Sequence, residues 1–362
     1  MRLTPDVTAT DPPQPTRSSS ASPSAPWWLE RAAPAAAGWA CVYGVLILSW
    51  VLGSDWGRPF GDVDVPAALL GGVAALCVAA AGAALATVRI RPGTVRPGLP
   101  GTMLWGFAGL LLTVAPGTLT LDLASVFTAH FYAIEWPSFL VKLYAVLGGA
   151  LFVGAAVSYR RRLNGACGHC GRFGGGSAQR RRWEKAAGYA AVIVPTLGFA
   201  LPHALWALNV PFGVTKEGAA ELSAPDTVAA LWVLVLLTMG GSVLTLGLVM
   251  PWGEIFPRWI PLVGGRVVPR LLAIVPPLVV AAALTPYGVL GNVAMTAHVT
   301  GIHELSADRL GEMQPLGFYV TYVSFAAWGA TLCAAAFMYH YRTRGACAHC
   351  DRHRGLSMKE SS

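Results

Sequence analysis

Y-R-R-R-L-N-G-A-C-G-H-C-G-R, Tyr159 to Arg172, returns later in the chain as Y-H-Y-R-T-R-G-A-C-A-H-C-D-R, Tyr339 to Arg352. The register has no gaps: Tyr339, Cys347 and Cys350 each lie 180 positions beyond Tyr159, Cys167 and Cys170. Each copy follows a long apolar run. Each carries a basic cluster and then a C-x-H-C hook. The repetition implies two copies of one membrane unit, each ending in a cysteine pair at the same depth and on the same side.

The flanking composition agrees. Of 362 residues, 54% are hydrophobic and 12% charged, and the mean hydropathy is +0.53. A soluble domain carries about 25% charged residues, so the chain belongs with multi-pass membrane proteins. The 41 glycines and 26 prolines fit, because neighbouring helices can satisfy the backbone groups such residues free. The net charge of +8 does not imply a nucleic-acid partner. The arginines stand in short runs beside apolar segments, where they set topology.

Eight segments are long enough to span a bilayer, at about 20 residues each. They lie near 33–53, 67–88, 102–121, 138–158, 187–208, 228–250, 270–291 and 317–340. The runs are too long for strands and do not alternate. The connecting segments 54–66, 122–137, 209–227 and 292–316 are mainly acidic. Segments 89–101, 159–186, 251–269 and the C-terminal tail are basic. By the positive-inside rule the basic loops and both termini are cytoplasmic, which implies the cell (cytoplasmic) membrane.

The expected fold is all-α: eight transmembrane helices, as a tandem duplication of a four-helix unit with both halves in one orientation. Residues 1–32 form a disordered Pro/Ser/Thr/Ala-rich tail, with no apolar core of a signal peptide behind the first basic residue. Residues 33–172 form the first repeat, 173–186 a basic cytoplasmic linker, 187–352 the second repeat and 353–362 a tail. Further echoes support duplication. Gly188-Tyr189-Ala190 and Trp206 lie 150 positions beyond Gly38-Trp39-Ala40 and Trp56, and Gly329-Ala330 lies 180 beyond Gly149-Ala150. Four spans per unit imply a pseudo-two-fold axis along the membrane normal.

Pro202-His203-Ala204-Leu205-Trp206-Ala207-Leu208 resembles the first-helix signature of small four-helix membrane proteins of unknown function. Trp252-Gly253-Glu254-Ile255-Phe256-Pro257-Arg258-Trp259-Ile260-Pro261 is similar to loops of uncharacterised multi-pass membrane proteins of GC-rich bacteria. These resemblances imply a helical membrane fold. They carry no activity to transfer.

The chemistry rests on Cys167, Cys170, Cys347 and Cys350. Two thiolates in C-x-x-C grip one tetrahedral ion from a tight turn, and a structural zinc site takes four ligands. Two hooks near a pseudo-two-fold axis would supply them, with Arg160, Arg161, Arg162, Arg342 and Arg344 offsetting the negative charge. C-x-x-C-G-R resembles half of a zinc ribbon. C-G-H-C is also the active-site tetrapeptide of protein disulfide isomerases, although no Trp precedes Cys167 and no thioredoxin-like pattern surrounds it. A pair of reduced, solvent-exposed thiols is the plain alternative. His169 and His349 read as solvent-facing or turn-bonded rather than as ligands.

Elsewhere, Cys41, Cys77 and Cys333 lie inside apolar runs as packing residues. His203 is the one ionisable group well inside a span, and a packing role is expected for it. Lys142 can snorkel or pair with Glu135. So few buried charges argue against an ion pump. There is no G-x-S-x-G, Walker loop or H-E-x-x-H. The reading is therefore non-enzymatic: a structural or regulatory membrane protein with a zinc site, its partner the lipid bilayer. A membrane thiol-disulfide oxidoreductase and a small-solute transporter with a path between the repeats are the alternatives.

Overall fold

Inside a bilayer no water is present to pair with backbone amides, so apolar runs satisfy themselves as helices. A computed structural model shows how these runs pack. It describes residues 26–59, 65–89, 98–127, 131–164, 166–171, 178–302, 304, 313–343 and 347. Among them, seven helical runs are long and apolar enough to cross a membrane. These are α1 (Trp27–Val51), α2 (Ala67–Arg89), α5 (Trp136–Leu163), the run Lys185–Ala207, α9 (Val228–Leu246), α10 (Arg270–Val299) and α11 (Pro315–Thr343). The run Lys185–Ala207 combines the end of α6 (Ala178–Pro195), a π turn (Thr196–Ala200) and α7 (Leu201–Ala207). The chain is a multi-pass helical membrane protein.

The expected span at 102–121 is where the structure departs from the sequence reading. Helix α3 (Gly98–Thr113) has 16 residues, about 24 Å at 1.5 Å per residue against a hydrocarbon core of about 30 Å. The chain then turns through residues 114–118 and resumes as α4 (Leu119–Phe127). Pro116 lacks an amide donor, and Gly117 takes φ 51°, so the helical ladder stops. Both residues are buried, and irregular backbone is tolerated at membrane depth where protein covers it. The first span also differs: α1 starts at Trp27 rather than near 33 and runs through Pro34.

Residues 27–163 and 185–343 share part of their packing. In the first, α1 lies against α2 and α5, and α3 lies against α5. Trp39 sits at the centre, where Nε1 donates to the Tyr144 carbonyl at 3.0 Å and the ring stacks on Tyr43 at 4.7 Å. In the second half the α6–α7 run lies against α9 and α11, and α10 runs along α11. The halves meet where α3 and α4 contact α10. There Thr120 Oγ1 donates to the Ala283 carbonyl at 2.7 Å.

The turn after the first long helix of each half has one construction. Trp50 Nε1 donates to the Trp56 carbonyl at 2.8 Å, and Trp206 Nε1 donates to the Phe212 carbonyl at 2.8 Å. Gly57 follows at φ 69° and Gly213 at φ 67°. Both glycines are needed twice over. Their φ favours glycine, and each abuts the start of the last long helix of its half. A Cβ on Gly57 would lie 2.9 Å from Val141 Cγ2, and one on Gly213 would overlap Gly317. Trp206 and Gly213 lie 156 positions beyond Trp50 and Gly57. Trp56, which matches Trp206 by identity at an offset of 150, instead supplies the carbonyl that accepts from Trp50.

Candidate metal centre

The first hook is built by the way α5 ends. Asn164 closes the helix with its amide on the Arg160 carbonyl, and the Ala166 amide reaches back to the Arg161 carbonyl at 2.9 Å. Next, the Gly171 amide donates to the Cys167 carbonyl at 2.7 Å, which curls residues 167–171 into one turn. Gly171 sits at φ 63°, and a Cβ there would lie 2.7 Å from Arg161 Nε. The Arg161 side chain fills that space and donates from Nη1 to the Gly168 carbonyl at 3.1 Å. Its guanidinium also lies over the Trp28 ring at 5.7 Å, tying the hook to the start of α1.

The second hook hangs from the end of α11, which is anchored to the loop after α9. Tyr339 Oη donates to the Gly253 carbonyl at 2.7 Å, and Arg342 Nη1 donates to the Val249 carbonyl at 3.0 Å. Arg342 Nε lies 2.9 Å from Glu254 Oε1. Tyr339 is 1% exposed, so its hydrogen bond is buried, while Glu254 at the other contact is 46% exposed.

These two ends bring sulfur atoms together across the chain. Cys167 Sγ and Cys347 Sγ are 4.0 Å apart. The Sγ atoms of Cys167, Cys170 and Cys347 all lie within 4.8 Å of one another. Cys350, the fourth expected ligand, lies outside the described residues, as do His349 and Arg344. The 4.0 Å separation is twice the length of an S–S bond, about 2.05 Å. It is close to the roughly 3.8 Å between sulfurs of a tetrahedral Zn–S site with bonds of about 2.3 Å. Cys347 is buried and the other two are half-buried, so an ion among them would be shielded from water on part of its surface. His169 is exposed.

Of the arginines near the hooks, Arg161 donates to the Gly168 carbonyl and Arg342 pairs with Glu254. Arg160 and Arg162 are exposed.

Among the described residues, His203 and Lys142 are further ionisable side chains inside the helical bundle. His203 is buried, 9% exposed. Its Nδ1 is 2.8 Å from the Phe199 carbonyl, which can only accept, so Nδ1 carries the proton. The ring lies between Phe199, at 4.0 Å, and Trp206, at 4.7 Å. This is the expected packing role.

Lys142 is 4% exposed, and its Nζ lies 2.7 Å from Asp122 Oδ2 and 2.9 Å from Thr118 Oγ1. The expected partner, Glu135, is instead exposed at the position preceding α5. Asp122 was missed because the broken helix moves it from a presumed loop into the bundle. A lysine within an apolar run was the signal that an acid must be near. The pair fastens the turn at 114–118 and α4 to α5. Of the three cysteines read as packing residues, Cys77 is in the core, whereas Cys41 and Cys333 are exposed on the apolar surface.

No known protein family, curated protein or solved structure matches this chain.

Proposed function

We propose that this is a structural or regulatory protein of the cytoplasmic membrane whose two C-x-H-C hooks hold one zinc ion on the cytoplasmic side. Cys167, Cys170 and Cys347 are three of its ligands, and Cys350 is the fourth. The observation that carries this reading is the meeting of three sulfurs from hooks 180 positions apart. A dithiol redox centre needs two sulfurs, and the third favours a metal. Four thiolates suit zinc, which has no preferred d-electron geometry and accepts a tetrahedron of sulfur.

The same reading includes a tandem duplication with eight crossings. In it, α3, the buried turn and α4 together make the third. The shared helix neighbours, the paired indole hydrogen bonds and the paired glycine turns support it. So does the repeated inward face of the last long helices: Ala155, Ala156 and Tyr159 are buried on α5, and Ala335, Ala336 and Tyr339 are buried on α11.

The test is elemental analysis of the purified full-length protein. One zinc per chain is expected. Serine at any of the four hook cysteines should lower the zinc content, while Cys41→Ser should leave it unchanged. Metal-free wild-type protein, or zinc that persists without the hook cysteines, would refute the site.

A further inference from the structure

Between α9 and α10 the chain forms a small hairpin that the metal centre does not use. Ile255 bridges Val267 in antiparallel fashion. The Phe256 amide donates to the Arg266 carbonyl at 2.9 Å, and the Val268 amide donates to the Glu254 carbonyl at 2.9 Å. The base is held to α11 by the Tyr339 and Arg342 contacts already described. The hairpin is therefore fixed at the end of the bundle that carries the sulfur cluster.

Its surface is unusual for a loop in water. Trp259 is 81% exposed, Leu262 92% and Val267 76%. Arg258, Arg266 and Arg270 are exposed around them. The surface thus combines three large apolar side chains with three cations, and the one acid of residues 251–270, Glu254, is already paired with Arg342 at the base. Both ends of the hairpin continue within a few residues into membrane-crossing helices, so it is tethered where headgroups begin.

We propose that this hairpin is a binding site for an anionic phospholipid. Trp259 and Leu262 enter the boundary between headgroups and acyl chains, where amphipathic aromatic and aliphatic groups settle. Arg258, Arg266 and Arg270 hold the phosphate and the net negative headgroup. Arginine suits this task because its planar fork donates two parallel hydrogen bonds to a phosphate. The metal centre plays no part in this argument.

The test is native mass spectrometry of the full-length protein released from detergent micelles. Phosphatidylglycerol and phosphatidylcholine are the probes, and inorganic phosphate is a separate arm. Phosphatidylglycerol should bind more tightly. Arg258→Gln/Arg266→Gln should weaken it about fivefold per arginine and weaken phosphatidylcholine, whose phosphate is balanced by its own choline cation, much less. Trp259→Ser/Leu262→Ser should weaken both lipids. Retained helical circular dichroism and an unchanged elution volume in detergent would show that the variants fold.

Undiminished phosphatidylglycerol binding in the arginine variant would overturn the proposal. Millimolar phosphate displacing the lipid while the Trp259/Leu262 variant binds normally would also overturn it, by identifying a free-anion site. So would a wild-type dimer lost in Trp259→Ser/Leu262→Ser, which would make a second copy the occupant.

Discussion

Replacing Lys142 by Met tests whether the buried ion pair holds the broken helix. The side chains are of similar length, so the change removes the charge and little volume. Lys142 is 4% exposed and Asp122 13%, so solvent screens neither group well. Without Lys142, the Asp122 carboxylate loses a contact of 2.7 Å in a half-buried position, and Thr118 Oγ1 loses its donor. Breaking such a pair from one side costs about 3–5 kcal/mol. The double variant Lys142→Met/Asp122→Leu removes both charges and should recover most of that loss.

Glu135→Gln, at an exposed position, should stay within about 0.5 kcal/mol of wild type. The assay is reversible unfolding in mixed micelles, followed by circular dichroism. A loss under about 1 kcal/mol for Lys142→Met, the range of surface pairs, would refute the reasoning. A double variant no more stable than the single would do the same.

Gly171→Ala forces a side chain into φ 63° and against Arg161. A local cost of about 1–2 kcal/mol should appear as weaker zinc retention against a chelator. Zinc retention in the wild-type protein should itself fall with pH, because the ligands must be thiolates. Trp50→Phe and Trp206→Phe each delete one indole hydrogen bond, and each should cost about 1 kcal/mol; clearly unequal costs would count against equivalent positions in a duplication. Reporter fusions after Arg96 and Arg172 are expected to read cytoplasmic and one after Asp62 external; the reverse at Asp62 would overturn the orientation.

Apolar length is a local, additive property, because the cost of placing each residue in lipid depends little on distant ones. The sequence alone therefore located the seven long apolar helical runs found among the described residues and the ends from which both hooks hang. The gapless 180-position register put the hooks at equal distances beyond their last helices, which is also a local count. Pro116 and Gly117 were visible too, but their effect depends on burial. In lipid a break there would leave amides unpaired, and α5 and α10 packed against α3 and α4 make it tolerable.

Pairings across the chain belonged to the tertiary structure. Glu135 is nearer to Lys142 in sequence, yet the folded turn delivers Asp122. Trp56 matches Trp206 by identity, yet Trp50 makes the corresponding hydrogen bond. The meeting of Cys167 and Cys347 at 4.0 Å depends on how α5 and α11 are held by their neighbours. Arg161 fixes the first hook against its own helix end, and Tyr339 and Arg342 fasten the second to the loop after α9. Such contacts join residues far apart in sequence, so their energies appear only once the helices have packed.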